Sequence, residues 1–216
     1  MSVAVVIPAR DEADLIARCL ASIGAERIIV VADSCVDNTA QIARSRGAEV
    51  IEITDANVGL ARAVGCEAAL RHPDIDWIAC TDADSAVPPN WIDEQLRLAA
   101  TGADVVVGTV RPDFADLTAL QTRAWLATHQ PGVANGHVHG ANLGIRASAY
   151  LSVGGFAPVS EHEDNDLVDR LAAAGFTITP TAAIDVLTSG RAFGRTPGGY
   201  ARYLRDDLIG SAELIA

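Results

Sequence analysis

The run Trp77-Ile78-Ala79-Cys80-Thr81-Asp82-Ala83-Asp84-Ser85 decides how the rest of this chain is read. Four apolar residues stop at two carboxylates set two positions apart, and Pro88-Pro89 follow just beyond. An apolar run bounded by turn residues predicts a short, buried strand. If the strand continues, Asp82 and Asp84 share one face. If they lie in the loop past it, they can converge on one hard cation, which takes oxygen ligands. A plain polar turn after a strand would carry Asp and Ser as well. The pair therefore gains its weight from what surrounds it.

The same alternation recurs upstream. Val3 to Ile7 is wholly apolar, as in a strand covered on both faces of a parallel sheet, and Pro8 is expected to end it. A helix follows with Leu15, Ile16, Cys19, Leu20 and Ile23 on one face and Gly24 as its C-terminal cap. Arg27 to Val31 predicts a second strand, and Asp33, Ser34 and Asp37 crowd the turn after it. Asp37 or Asn38 caps the next helix, Gly47 closes it, and Glu49 to Ile53 predicts a third strand. Asn57 opens a helix from Val58 to Arg71; after the Asp82 strand come a helix bearing Trp91, Gln95 and Ala99 and a strand from Ala103 to Val107. Strands alternating with helices through short loops predict an α/β fold with a mainly parallel central sheet flanked by helices. Past Arg111 the alternation weakens. Arg111 to Gln130 reads as a helix, and Gln130 to His137 as a glycine-rich mobile loop. Glu161 to Asp166 forms an acidic first turn before a helix with Leu167, Val168 and Leu171 on one face.

The 216 residues, half of them hydrophobic, suffice for one large domain, 1–216, with a first half to about residue 110 and a second from 111. Acidic residues outnumber basic ones 28 to 16, giving a net charge of −12 that repels nucleic acid backbones and excludes them as main partners. Anionic lipid is repelled too, which leaves at most peripheral membrane contact. Cys19, Cys35, Cys66 and Cys80 lack the CxxC spacing of a metal site and read as buried free thiols of a cytoplasmic protein. No apolar run approaches transmembrane length, so a soluble protein is expected. Nothing here excludes a homodimer.

The loop after the first strand, Pro8-Ala9-Arg10-Asp11-Glu12, has no glycine, which argues against a dinucleotide-binding fingerprint or a phosphate loop. Acidic residues follow strand ends three times instead: Asp11/Glu12, Asp33 and Asp82/Asp84. Strand carboxyl ends form the ligand crevice of open α/β sheets. Three acidic ends there suit a ligand offering N–H and O–H donors, together with a metal ion.

Five segments, in order, resemble the family 2 glycosyltransferases of the GT-A fold. They are Val5-Val6-Ile7-Pro8-Ala9-Arg10-Asp11-Glu12, Val30-Val31-Ala32-Asp33-Ser34-Cys35-Val36-Asp37-Asn38-Thr39, Asn57-Val58-Gly59-Leu60-Ala61-Arg62-Ala63, Thr81-Asp82-Ala83-Asp84 and Glu163-Asp164-Asn165-Asp166-Leu167. The resemblance spans Val3 to Arg191 and implies transfer of a sugar (the hexosyltransferase type) from a UDP- or GDP-sugar to an acceptor hydroxyl, with inversion. It implies that Pro8, Ala9, Arg10, Glu12, Asp33, Gly59, Arg62, Asp82 and Ala83 bind the nucleotide. Asp84, with Asp82, would hold Mg²⁺ or Mn²⁺ in a DXD motif. Asp164, with Glu163 beside it, would be the catalytic pair, and Gly140, Ala141, Asn142 and Arg191 would line the acceptor and diphosphate region. Two departures stand out: Ala32 replaces the first aspartate of the usual acidic pair, and Gly65 stands where asparagine often occurs. His137 and His139 lack a third partner that would make them a metal site. The competing readings are a sugar-phosphate nucleotidyltransferase, which would need a glycine-rich basic first loop, and a non-catalytic nucleotide-sugar-binding module.

Overall fold

The computed structural model describes residues 1–25 and 27–213. Seven strands form one sheet: β1 (Ser2–Ala9), β2 (Arg27–Asp33), β3 (Glu49–Ile53), β4 (Ile75–Cys80), β5 (Val105–Pro112), β6 (Leu143–Arg146) and β7 (Ile178–Thr188). Their spatial order is β3-β2-β1-β4-β6-β5-β7. All pairings are parallel except those of β6, which runs antiparallel to both β4 and β5. The expected mainly parallel sheet is present, and its one reversed strand comes from the second half of the chain. That half thus wedges β6 between two strands of the first.

The apolar runs are continuous because each strand feeds two cores. Ala4, Val6, Ile29, Val31, Ile78 and Cys80 pack on one side of the sheet. Val5, Ile7, Val30, Trp77 and Ala79 pack on the other, so neighbouring side chains leave by opposite faces. Each fully buried Val or Ile of this set contributes about 1.5–3 kcal/mol relative to exposure. Helices α1 (Ile16–Ser22), α2 (Thr39–Ser45), α3 (Val58–Leu70), α4 (Trp91–Ala100), α5 (Ala119–Thr128), α6 (Ala147–Ser152) and α7 (Glu163–Ala173) complete the layers. A C-terminal helical arm, residues 200–213, packs Leu204 and Leu208 against Ala124 and Trp125 of α5.

Some boundaries differ from the sequence reading. Pro8 lies inside β1, paired with Val31 of β2 and past the end of the β1–β4 pairing at Val6, so β1 has lost one of its two neighbours where the N–H is missing. The chain leaves α1 through an extended Ile23 (φ −95°, ψ 119°) without a left-handed cap at Gly24, whereas Gly47 does turn left-handed at φ +86°. The long helix expected from 111 to 130 is shorter: β5 runs on to Pro112, and a 3-10 turn, Phe114–Asp116, intervenes. Thr118 and Gln121 then form a reciprocal capping box, which sets the start of α5 at Ala119.

Order along the sheet determines where a ligand can go. From β1 the chain builds outward through β2 and β3, then returns to place β4 on the other flank of β1. The loops leaving β1 and β4 therefore diverge, and the crevice between them opens at the carboxyl ends of the strands.

Candidate active site

That crevice is a cleft of about 540 Å³. Its walls include Pro8, Ala9, Arg10 and Glu12 after β1, Asp33 at the end of β2, and Asp82, Ala83 and Asp84 after β4. Arg62 of α3, Glu163 of α7 and Arg191 after β7 complete it from the sequence-derived set. Two of the three acidic strand ends arrive there whole. In the third, Glu12 enters while Asp11 turns away, its Oδ1 accepting the Val36 N–H at 2.8 Å.

Asp33 is 4% exposed, and its carboxylate is fully engaged by its own chain. Oδ1 accepts the N–H groups of Asp55 (3.0 Å) and Ala56 (2.8 Å) and the Ser34 hydroxyl (3.0 Å), while Oδ2 accepts the Asn57 N–H at 2.7 Å. It thereby sets the loop that starts α3, whose first turn Asn57 caps by accepting the Leu60 N–H at 2.9 Å.

Asp84 differs. Its Oδ2 meets Arg191 Nη2 at 2.8 Å, and the same nitrogen meets Glu12 Oε1 at 2.7 Å. The Thr188 and Ser85 hydroxyls stand at 3.4 and 3.5 Å from Oδ1. Burial, then the charge of Asp82, push the Asp84 carboxyl up to about 6, with Glu12 adding to the rise and Arg191 opposing it. A second arginine, Arg195, donates to the carbonyls of Arg10 (3.0 Å) and Asp11 (2.5 Å), so the segment after β7 is pinned across the first loop.

This donor set fits a hard divalent cation. The three carboxylates of Glu12, Asp82 and Asp84 line one cleft with incomplete neutralisation, and all their donors are oxygens. Two protein carboxylates at the motif would leave the remaining positions to a ligand. Among the described residues, the one place where three metal-type ligand atoms gather is Asp11, Cys35 and Asp37, at the turn between β2 and α2. Those groups stitch that turn: Asp37 accepts from Ala13 and Thr39, and the Cys35 thiol reaches the Ala9 carbonyl.

At the far wall, Glu163 is buried and accepts Arg62 Nε at 2.9 Å, while Arg62 Nη2 meets Asp82 Oδ1 at 2.5 Å. Burial raises the Glu163 carboxyl, against the lowering effect of Arg62. Asp164, beside it, is half-buried next to the cleft. Its Oδ2 accepts the Gly140 N–H at 2.7 Å and its Oδ1 the Asn165 N–H at 2.8 Å. His139 lies close by, edge-on to Tyr200 with ring centroids 5.8 Å apart; burial pushes its imidazole down to about 4, against the pull of Asp164. His137 and His139 do not sit on a strand, and their rings meet edge to face at 6.3 Å.

Besides Asp164, four of the sequence-derived residues lie outside the cleft lining. Gly59 packs against the backbone of Ala157 and Val159, too closely to admit a Cβ, and its N–H donates to the Val159 carbonyl at 3.1 Å. Gly140 lies against the Arg62 guanidinium with no room for a side chain. Ala141 is buried. Asn142 is buried too: it accepts from Trp91 Nε1 at 2.8 Å and donates to the carbonyls of Thr109 and Ile184, tying α4 to β5 and β7.

Other cleft residues had no signal in the sequence. Tyr200, Thr188, Ala56 and His162 all line it. The four non-glycine residues with positive φ among those described are Asp11 (51°), Ser34 (54°), Ala56 (52°) and His162 (59°), and all lie in loops at or beside the cleft. Left-handed backbone at such residues is strained, and strain of this kind collects at ligand sites. Glycine would have announced these turns; Asp, Ser, Ala and His do not.

Comparison with known proteins follows the same outline. The family model for Glycosyl transferase family 2 matches residues 4–148. A dolichyl-phosphate hexose transferase from Haloferax volcanii is 38% identical over 80 residues, which is 37% of this chain and 33% of that protein. Mannosyltransferase PcManGT from Pyrobaculum calidifontis, solved with GDP-Man and Mn²⁺, superposes with a TM-score of 0.67 at 19% identity, covering 99% of this chain and 73% of the other. S. aureus TarS 1-349 in complex with UDP-GlcNAc gives a TM-score of 0.68 at 13% identity, covering 100% and 70%. Among the described residues, no helix is long and apolar enough to cross a membrane.

Proposed function

Because this chain belongs to glycosyl transferase family 2, we propose that it transfers a hexose from a nucleoside diphosphate sugar to an acceptor hydroxyl, with inversion and with the help of a divalent cation. The observation that carries the reading is the convergence of Glu12, Asp82, Asp84 and Glu163 on one cleft at the β1/β4 switch point. Two structural relatives hold UDP-GlcNAc and GDP-Man, and one of them Mn²⁺, in such a fold. These support a UDP- or GDP-sugar donor and Mg²⁺ or Mn²⁺ here.

Asp84, with Asp82, would hold the cation, which when bound supplies charge neutralisation to the diphosphate leaving group. Pro8, Ala9 and Arg10 present backbone and side chain to the nucleotide. The Asp33-bonded loop at Ala56 and Asn57 forms the facing wall. Arg191 and Arg195 supply positive charge where the diphosphate would lie in an otherwise acidic protein. Asp164 is the base. It takes the proton from the acceptor oxygen as that oxygen bonds to the anomeric carbon, and the bond to the β-phosphate oxygen breaks on the opposite face, its electron pair leaving with the nucleoside diphosphate. Glu163 is less suited to that role, since it is buried and bonded to Arg62. The bonds from Gly140 and Asn165 fix the direction of the Asp164 carboxylate.

Asp164→Asn keeps the size of the side chain and one acceptor oxygen, turns an NH2 toward the other of the two N–H donors, and cannot take up the proton. Transfer should fall by about 10²–10⁴-fold, the reach of general-base catalysis, while calorimetric affinity for UDP or GDP with Mn²⁺ stays at the wild-type value. Loss of donor affinity along with transfer would put Asp164 in the nucleotide site. Undiminished transfer would move the base to Glu163 or Glu161.

A further inference from the structure

Arg62 is 2% exposed and stands at the centre of the cleft's rear wall. Its guanidinium serves two carboxylates from different parts of the fold: Asp82, in the loop after β4, at 2.5 Å, and Glu163, at the start of α7, at 2.9 Å. Phe156 lies beneath the guanidinium, 6.0 Å from ring centroid to Cζ, and Gly140 packs directly on Nη2. The N–H of that same Gly140 donates to Asp164. One side chain therefore touches the metal-motif aspartate, the buried glutamate of the acceptor-side helix and the residue that orients the proposed base.

We propose that Arg62 is a positioning residue that couples the donor side of the cleft to its acceptor side, an inference that rests on the glycosyl-transfer reading above. An arginine in this setting stays charged, and its planar fork fixes two carboxylates at once in a way a lysine cannot. Asp82 is the more exposed partner, at 37% against 7% for Glu163, so ligands reach one end of the pair and not the other. Whatever draws on Asp82 from the cleft changes its share of the guanidinium and hence the hold on Glu163. Coupling of this kind is reciprocal: loosening Glu163 must alter what Asp82 offers the donor.

Calorimetry with UDP and GDP as probes, in the presence of Mn²⁺, tests this with four proteins: wild type, Glu163→Gln, Arg62→Lys and the double variant. Glu163→Gln keeps an oxygen for Arg62 Nε but frees the guanidinium to bind Asp82 more fully. It should weaken nucleoside diphosphate binding by about three- to thirty-fold with Arg62 present, inside the range of coupling between residues in one ion network. In the Arg62→Lys background the same change should shift the dissociation constant less than about two-fold. Equal effects in both backgrounds, with wild type binding normally, would overturn the coupling and leave the glycosyl-transfer reading standing. If wild type binds neither probe with Mn²⁺, the reading itself falls and the coupling with it. Should Arg62→Lys not give a cooperative melt, Glu163→Gln is combined with Asp82→Asn while Arg62 is kept. Non-additive losses then support the shared guanidinium, and additive ones overturn it.

Discussion

Asp33 and Asp84 look alike in the sequence, where each follows an apolar strand, and in the fold each is largely withdrawn from solvent and lines the same cleft. Their partners set them apart. Asp33 accepts four hydrogen bonds, three of them from backbone N–H groups that cannot leave without unmaking the loop at 55–57. Asp84 has one close partner, an arginine on a loop, and two hydroxyls at the limit of bonding distance. Buried with too few donors, its carboxyl rises to about 6. A carboxylate whose needs are met by backbone is part of the frame. One whose needs are met by a flexible side chain can exchange that partner for a ligand.

The sharpest way to break this contrast is Asp84→Ala. Mn²⁺-dependent binding of UDP or GDP should weaken by more than about 100-fold, since a direct ligand is removed where even supporting residues cost about 10–100-fold. Stability should not fall. The folded Asp84 titrates at about 6, above its ordinary 3.8, so the fold favours the protonated acid. That contribution is full below pH 3.8 and is lost as pH rises through 6. Alanine has nothing to lose over this window, so relative to wild type the metal-free variant should gain melting temperature between about pH 4 and pH 7.5. A variant that melts lower at the upper end of that range, or that binds nucleotide normally in EDTA, would make Asp84 a frame residue like Asp33.

The complementary change, Asp33→Ala, should act through the fold. It orphans the N–H groups of Asp55, Ala56 and Asn57, and about 3 kcal/mol of stability should be lost in a urea melt, with nucleotide affinity falling as the loop loosens. Asp33→Asn should lie between, because its amide can still accept from two of the three but turns a donor toward another. If Asp33→Ala keeps its midpoint while binding drops, Asp33 is a ligand group after all, and its four internal bonds are secondary.

How much of this was written in the chain follows from the same distinction. The parallel sheet was legible because Val3 to Ile7, Ile28 to Val31 and Trp77 to Cys80 are apolar on both faces, as strands covered on both sides are. The convergence of Glu12, Asp33, Asp82 and Asp84 followed from their places at strand ends. Which acid was framed and which was free did not follow, since that depends on where residues 55–57 and Arg191 come to lie, one nearby in sequence and one over a hundred residues away. Asn142 misled for a related reason. Family resemblance set it in the acceptor region, yet here its side chain satisfies Trp91 and two backbone carbonyls in the core. The left-handed turns at Ala56 and His162 had no glycine to betray them, and Tyr200 enters the cleft only because the arm beyond Gly199 folds back over it.

The smallest and most discriminating test concerns the partner rather than the acid. Arg191 Nη2 bridges Glu12 and Asp84 in the structure, and Arg195 Nε stands 3.7 Å from Glu12 as well. In Arg191→Gln, Glu12 therefore retains a nearby cation, whereas Asp84 loses its close one. If Asp84 is an exchangeable acid, the variant should bind Mn²⁺ alone more tightly, by about five-fold given that the arginine is partly exposed and its pairing partly screened. Binding of UDP or GDP in saturating Mn²⁺ should move the other way, because the diphosphate then lacks a guanidinium that could meet it. Opposite signs from one substitution are hard to produce by loosening the fold, which would weaken both. A titration in which Mn²⁺ affinity is unchanged or lower would mean that Arg191 is a fixed strut between Glu12 and Asp84, and the difference between the two aspartates would then be one of degree.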